Sequence, residues 1–315
     1  VEVEGGLRLD VVRPRPRELG EGADLVLAGV SRRSATSADL IMPTVDPLAL
    51  PFDEAIAFYR AKSDRLPTER WDDLWQDQHE RAFVVAAATR DAMLADLQAA
   101  INKGLTEGTT LADFRKRWPQ ITAGWTGWTG EGTPAGRRWR QRVIFDTNVR
   151  TAYAAGRWQQ IQEARARRPW LRYVATLDER TRPHHREWHG TVLPVDHEWW
   201  QTHYPPNGWF CRCTVEQLSD RDLRRYGYTP SDEAPPLNLE EVEVRGRGTV
   251  LVPQGIDPGW SYAPGAATWQ DHMAVEAAEA WQRTAATWRV VSPGDWRSAG
   301  RPAQLAPEPT AAVPA

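Results

Sequence analysis

The sequence of 315 residues contains two cysteines, three methionines and no long apolar run. Cys211 and Cys213 are two positions apart, which is too close for an ordinary disulfide between them. We therefore expect a chain that folds without disulfides in a reducing compartment. No segment approaches the roughly 18 apolar residues of a membrane-spanning helix. The first ten residues, VEVEGGLRLD, lack the basic and apolar regions of a signal peptide, so no secretory signal is expected.

Lysine is also scarce: the chain has three lysines, Lys62, Lys103 and Lys116, and 36 arginines. The net charge is −3, but residues 131–228 carry 17 basic and 11 acidic residues between two acidic flanks. A basic middle region indicates a surface for DNA or for an acidic partner. The alternative is a solvated helix face that pairs with the acidic flanks. The residues expected to contact DNA or an acidic partner are Arg137, Arg138, Arg140, Arg142, Arg157, Arg165, Arg167 and Arg168.

The order of periodic and turn-rich segments predicts an α+β fold, in which a helical N-terminal region precedes a small compact α+β domain with short strands. We divide the chain into five regions. They are a poorly ordered arm (1–50), a helical region (51–130), a core domain made of a long basic helix and a small α+β unit (131–228), an acidic extension with one helix (229–291) and a disordered Ala/Pro tail (292–315).

Helices are predicted from apolar spacing and end signals. Mixed three- and four-residue spacing predicts one helix over 68–103, ended by Gly104. Thr110 and Asp113 have the spacing of a capping box that opens the next helix. Further helices are expected over about 137–168, from Pro183 for about two turns, after a Ser219 or Asp220 cap up to Gly227, and over about 268–288. Alternating patterns predict strands at WLRYVATL (170–177), TVLPV (191–195) and WFCRCTVEQL (209–218).

A group of histidines precedes the two cysteines and has the composition of a metal site. His185 and His189 are four residues apart, so they would project from one face of the predicted helix. Cys211 and Cys213 would point to one face of the predicted strand. Two imidazoles and two thiolates are the ligands of a tetrahedral Zn²⁺ site, so the implied cofactor is zinc. The alternative is two buried, inert cysteines beside unrelated histidines.

The same segment also permits a catalytic interpretation. Asp178, His185 and His189 lie close to basic residues and could hold a divalent ion that activates water against a phosphodiester. The alternative function is therefore a metal-dependent nuclease or another hydrolase acting on nucleic acid.

Three segments carry a resemblance to a known family: RVIFDTNVRTAYAAGRW (142–158), RPHHREWHGTVLPVDHEWWQTHYPPNGWFCRCTVEQLS (182–219) and VPQGIDPGWSYAPG (252–265). Together they resemble the phage Mu F family of minor head proteins. Beyond the histidines and cysteines, the family motif falls on Asp146, Asn148, Arg150, Tyr153, Arg182, Pro205, Pro206, Asn207, Gly208 and Trp209.

This resemblance implies a minor capsid or head morphogenesis protein of a Mu-like tailed phage or prophage, without enzyme activity. The implied partners are the portal and/or the major capsid protein, and phage DNA through the basic helix. The implied location is the interior of the phage head. During assembly the protein would be in the host cytoplasm.

Overall fold

The computed structural model describes residues 52–125 and 132–287. The predicted N-terminal arm and the Ala/Pro tail lie outside these residues. In the first half of the described chain the elements are α1 (Asp53–Ala61), β1 (Asp64–Arg65), α2 (Gln78–Arg81), β2 (Ala82–Phe83), α3 (Asp91–Glu107), α4 (Leu111–Ile121) and α5 (Pro134–Ala164).

The second half contains β3 (Trp170–Val174), α6 (Pro183–Glu187), β4 (Val192–Pro194), α7 (Trp199–His203), β5 (Thr214–Leu218), α8 (Asp220–Tyr226), β6 (Leu239–Val244), β7 (Gly248–Pro253) and α9 (Ala266–Thr287). The described residues thus combine helices and short strands, which confirms the predicted α+β class.

The long helix α5 contributes to both hydrophobic cores. Its N-terminal part packs with α1, α3 and α4 through Ile144, Phe145 and Ala152. Its C-terminal part supplies Trp158 and Ile161 to the second core, around the three-stranded sheet. Because the two cores share one continuous helix, the position of the second core is tied to that of the first.

The second core is built on an antiparallel sheet with the strand order β4-β3-β5. The expected alternation holds in β3, where Leu171 and Tyr173 are fully buried and their neighbours are only half-buried. Aromatic side chains fill the space beside the sheet, and Trp188, Trp199 and Trp200 are among them. The abundant tryptophan of this chain therefore serves in part as core.

The β6–β7 hairpin was not predicted from the sequence. Val242 and Val252 turn toward the second core, whereas Leu239 and Leu251 lie on the outer face and are at least half exposed. Helix α9 follows, and its first turn is held by a buried side chain from the distant α2. Glu80 accepts hydrogen bonds from the backbone N–H of Gly265 at 2.8 Å and of Thr268 at 3.0 Å.

The prediction of one helix over 68–103 is wrong. Residues 68–77 form turns, and the helix α3 begins at Asp91 and continues to Glu107. Trp71 and Trp75 belong to an aromatic contact with each other and with Trp209, so their spacing reflects tertiary packing rather than a helix face. The helix-ending glycine is Gly108, at φ 65°, four residues after the predicted one.

Local end signals gave correct boundaries elsewhere. The Thr110–Asp113 capping box is formed, and Asp113 N–H lies 3.2 Å from Thr110 Oγ1. Ser219 caps α8 in the same way, and Gly227 ends that helix at φ 67°. These predictions are confirmed because a capping box is satisfied within four residues and needs no tertiary partner.

Candidate functional site

Three of the four predicted zinc ligands converge in the second half of the chain. His185 Nδ1 lies 3.7 Å from Cys211 Sγ and 3.3 Å from Cys213 Sγ. These three ligand atoms all lie within 4.8 Å of one another, and they form the one such group of His, Cys, Asp or Glu side chains among the described residues. His185 is 2% exposed and Cys211 is 5% exposed, so the group is largely shielded from water.

A backbone contact fixes the orientation of the His185 ring. Its Nε2 lies 2.9 Å from the carbonyl oxygen of Gly255, an acceptor that requires Nε2 to carry the proton. The lone pair of Nδ1 then faces the two sulfurs. The ring also stacks on Trp188, at 5.0 Å between centroids and 21° between planes.

His189 does not join this group, and the prediction that it shares a helix face with His185 is wrong. Helix α6 ends at Glu187, so the helical spacing does not extend to residue 189. His189 Nδ1 accepts a hydrogen bond from the backbone N–H of Ala175 at 3.1 Å, and its Nε2 lies 3.4 Å from the Arg172 guanidinium. The ring therefore braces strand β3 against the turn after α6.

The two cysteines lie in a loop and not in the predicted strand. Strand β5 begins at Thr214, and Cys211 N–H donates to the carbonyl oxygen of Gly208 at 3.1 Å in the turn before it. The convergence of the two thiols therefore depends on the loop that follows Pro206. The sequence pattern thus identified the correct residue types but predicted a strand where the structure has a loop.

Several motif residues hold this loop in place. Asn207 is fully buried and accepts a hydrogen bond from the Tyr173 hydroxyl at 2.9 Å. Asp257 accepts hydrogen bonds from the Trp209 backbone N–H and from the Arg182 guanidinium, each at 2.7 Å. Gly208 packs so tightly against Asp257 and Arg182 that a Cβ would overlap both side chains. Pro205 and Pro206, joined by a cis peptide bond, are buried in the same segment.

Four further motif residues lie on helix α5. Asp146 pairs with Arg142 at 3.0 Å, and Asn148 donates to the carbonyl oxygen of Ile144 at 2.9 Å, so these contacts are within the helix. Tyr153 packs edge-on against Phe52, at 5.4 Å between centroids. Arg150 and Tyr153 line a cleft of about 650 Å³ that also borders Cys211 and Cys213.

A hydrogen bond between the two thiols shifts their pKa values in opposite directions. A hydrogen bond from Cys213, together with the nearby His185, holds the pKa of Cys211 well below the usual thiol value. The same hydrogen bond to Cys211, together with burial, raises the pKa of Cys213.

The three residues of the catalytic interpretation do not come together in one site. Within the described residues, Asp178 and His189 are not part of the group that contains His185. Both carboxylate oxygens of Asp178 accept from the Arg212 guanidinium at 2.6 Å, and His189 is bonded to β3 as described above.

The eight predicted contact arginines do not form one surface. Arg140 donates to the Ala86 carbonyl oxygen, and Arg142 pairs with Asp146 and lies over the Phe210 ring at 4.6 Å. Arg138 and Arg165 are separated by about 40 Å along α5, at the usual rise of an α-helix. The other six are exposed at different positions: Arg137, Arg138, Arg157, Arg165, Arg167 and Arg168.

Six exposed arginines lie on two segments, the end of α5 with the residues that follow it and helix α8, and we call them the arginine cluster. It combines three of the predicted residues with three from α8 that sequence reasoning missed. The contact that joins the two elements is an ion pair of 2.6 Å between Arg168 and Asp222. The spacing DRDLRRY, with basic residues at i, i+3 and i+4 of a short helix, was the available signal. The members are Arg165, Arg167, Arg168, Arg221, Arg224 and Arg225.

None of the helices in the described part of the chain combines the length and the apolar character that a membrane span requires. The fold and the site define a helical and α+β module in which a buried loop brings two cysteines to one histidine. The family model described as "Phage Mu protein F like protein" matches residues 95–216, which include all three converging side chains.

Two relatives extend this match. The chain is 36% identical over 252 residues to "Putative capsid assembly protein F" of Escherichia phage Mu. The aligned region covers 72% of this chain and 57% of the relative. It is 33% identical over 228 residues to "Mu-like prophage FluMu F protein" of Haemophilus influenzae, which covers 66% of this chain and 55% of the relative. The chain belongs to the phage Mu F-like protein family. It spans little more than half the length of these relatives, and no solved structure matches it significantly.

Proposed function

We propose that the chain is a minor capsid protein of a Mu-like tailed phage or prophage that acts in head morphogenesis and has no enzyme activity. The observation that carries this proposal is the 36% identity over 252 residues to a phage Mu protein named for capsid assembly. The proposed location is the head interior of the virion, after assembly in the host cytoplasm.

The proposed protein partner is another head component, the portal and/or the major capsid protein. The outer face of the β6–β7 hairpin supports such a contact, since Leu239 is 50% exposed and Leu251 is 64% exposed beside the carboxylates of Glu241 and Glu243. Exposed apolar side chains rimmed by charge are typical of protein interaction surfaces.

The proposed nucleic-acid contact is the arginine cluster, and the partner is packaged DNA bound through its phosphates. Six exposed arginines on two segments that the Arg168–Asp222 ion pair joins support this contact on a chain whose net charge is −3. Such binding would show little sequence preference and would weaken steeply with salt.

Fluorescence anisotropy with a labelled duplex at increasing salt tests the DNA contact. The double variant Arg224→Gln/Arg225→Gln should weaken binding and flatten the plot of log affinity against log salt by about 0.9 per lost phosphate contact. The matched control is Arg137→Gln/Arg138→Gln, an adjacent exposed pair at the other end of α5. Equal effects of both variants would remove the arginine cluster as the contact site. No binding by the wild type would remove DNA as the partner and leave an acidic protein.

Inactivation of the gene in its phage or prophage tests the head role. Electron microscopy of the lysate should show few or no DNA-filled heads, with recovery when the gene is supplied on a plasmid. A normal yield of filled, infectious particles from the inactivated phage would overturn the proposal.

A further inference from the structure

We propose that His185, Cys211 and Cys213 bind one Zn²⁺ ion as a three-ligand Cys₂His site. This inference does not depend on the role in head assembly. It differs from the four-ligand site expected from sequence spacing because His189 is bonded elsewhere.

The separations of the ligand atoms suit a tetrahedral zinc ion. With Zn–S bonds of about 2.3 Å and Zn–N bonds of about 2.0 Å, neighbouring ligand atoms are roughly 3.5–3.8 Å apart. His185 Nδ1 lies at 3.7 Å and 3.3 Å from the two sulfurs. The two nitrogen–sulfur distances therefore fit a common ion with shifts of a few tenths of an ångström, and the two sulfurs lie within 4.8 Å of each other.

The surroundings of His185 are those of a metal-binding histidine. A ligating imidazole usually donates its other N–H to a carbonyl or carboxylate, which fixes the tautomer and the ring orientation. His185 Nε2 makes this contact with Gly255 at 2.9 Å. Gly255 has a φ of 86° and lies against His184 and Trp188, so a Cβ at this position would collide with both side chains. The acceptor is therefore held close to the ring by a backbone that only glycine fits.

The ligand types favour a divalent transition-metal cation at this position. Bound Zn²⁺ takes cysteine as the thiolate, and its two positive charges neutralise two such ligands. The soft sulfur ligands favour zinc over Mg²⁺ or Ca²⁺, which prefer oxygen ligands.

Three protein ligands leave a fourth position, because the described residues supply no further His, Cys, Asp or Glu side chain to the group. We assign that position to water. The ion would join α6, the loop before β5 and, through Gly255, the segment after β7. Its expected effect is to stabilise the second core.

The experiment uses the full chain purified under reducing conditions, stripped of metal and then titrated with Zn²⁺ or Co²⁺. The wild type should bind one Zn²⁺ per chain by mass spectrometry of metals, and Co²⁺ should give thiolate-to-cobalt charge-transfer absorption together with the d–d bands of a tetrahedral site. Zn²⁺ should also raise the Tm of the stripped protein.

Variants then test each ligand. Cys211→Ser, Cys213→Ser and His185→Gln should lose stoichiometric zinc, while His185→Cys should retain it as a site with three sulfurs. The controls are His189→Gln, which replaces the expected fourth ligand, and His184→Gln, which replaces the exposed neighbouring histidine; both should bind like the wild type. Circular dichroism of each variant separates metal loss from unfolding. Zinc binding by His185→Cys would show that a sulfur ligand replaces the imidazole, a result that an unfolded chain cannot give.

Three results would overturn the proposal. The first is a wild-type chain that stays metal-free in excess Zn²⁺. The second is a Cys211–Cys213 disulfide under the same reducing conditions. The third is loss of zinc in a folded His189→Gln variant.

Discussion

Gly156 allows helix α1 to pack directly on the backbone of α5, so its replacement by alanine should destabilise the fold. An ideal Cβ at this position would lie 2.5 Å from Ala55 N, 2.9 Å from Ala55 Cα and 3.0 Å from the carbonyl carbon of Glu54. These are backbone atoms, so the overlap is relieved only if α1 moves away from α5.

The size of the effect follows from two opposing contributions. Overpacking of a filled interior costs about 1–3 kcal/mol. Alanine in place of glycine stabilises a helix interior by about 1 kcal/mol. Because the overlap is with backbone atoms, the upper part of that cost applies. We therefore expect Gly156→Ala to lower the free energy of unfolding by about 1–2 kcal/mol, measured as a lower urea midpoint by circular dichroism.

Gly104→Ala is the matched control, because Gly104 is also inside a helix and gains the same propensity. Its Cβ would meet the ring of Phe145 at 3.0 Å, and that ring belongs to a side chain that can shift. The control should be nearly neutral. Equal or greater stability of Gly156→Ala relative to the wild type would refute the close backbone contact.

Three further predictions concern buried or half-buried charged groups. Burial lowers the pKa of Lys62 from 10.5 to about 8. Because this folded-state pKa lies below the unfolded one, wild-type stability should rise by about 2 kcal/mol between pH values of about 7.5 and 9.5 in urea titrations, and Lys62→Met should lack that gain. Glu80→Ala leaves the Gly265 and Thr268 N–H groups without their acceptor and should cost about 2–4 kcal/mol in the same assay, whereas Glu80→Gln should cost less. Asp257→Asn weakens the contacts to Trp209 and Arg182 and should lower the urea midpoint by the equivalent of about 1–2 kcal/mol; an unchanged midpoint would contradict the role assigned to this carboxylate.

The fold was predictable where neighbouring residues decide the structure. The capping boxes of Thr110 and Ser219 and the glycine end of α8 are satisfied within a few residues, so the sequence alone determines them. The helix over 68–103 failed because Trp71 and Trp75 satisfy contacts far along the chain, with Trp209 and with the Arg247 guanidinium. No helical or strand periodicity encodes such contacts.

The candidate site was predictable in residue type and less so in geometry. His185, Cys211 and Cys213 were identified by their chemistry, and the structure brings them together. His189 was included because four-residue spacing implies a helix face, but α6 is too short to create one. The supporting contact from Gly255 lies 70 residues from His185, and nothing in the local sequence indicates it.

The proposed placement of the chain in the phage head is tested most directly by quantitative mass spectrometry of purified particles separated into heads and tails. We expect the chain in the head fraction, in fewer copies than the major capsid protein. Recovery of the chain only with tails, or its absence from particles, would contradict a role inside the head.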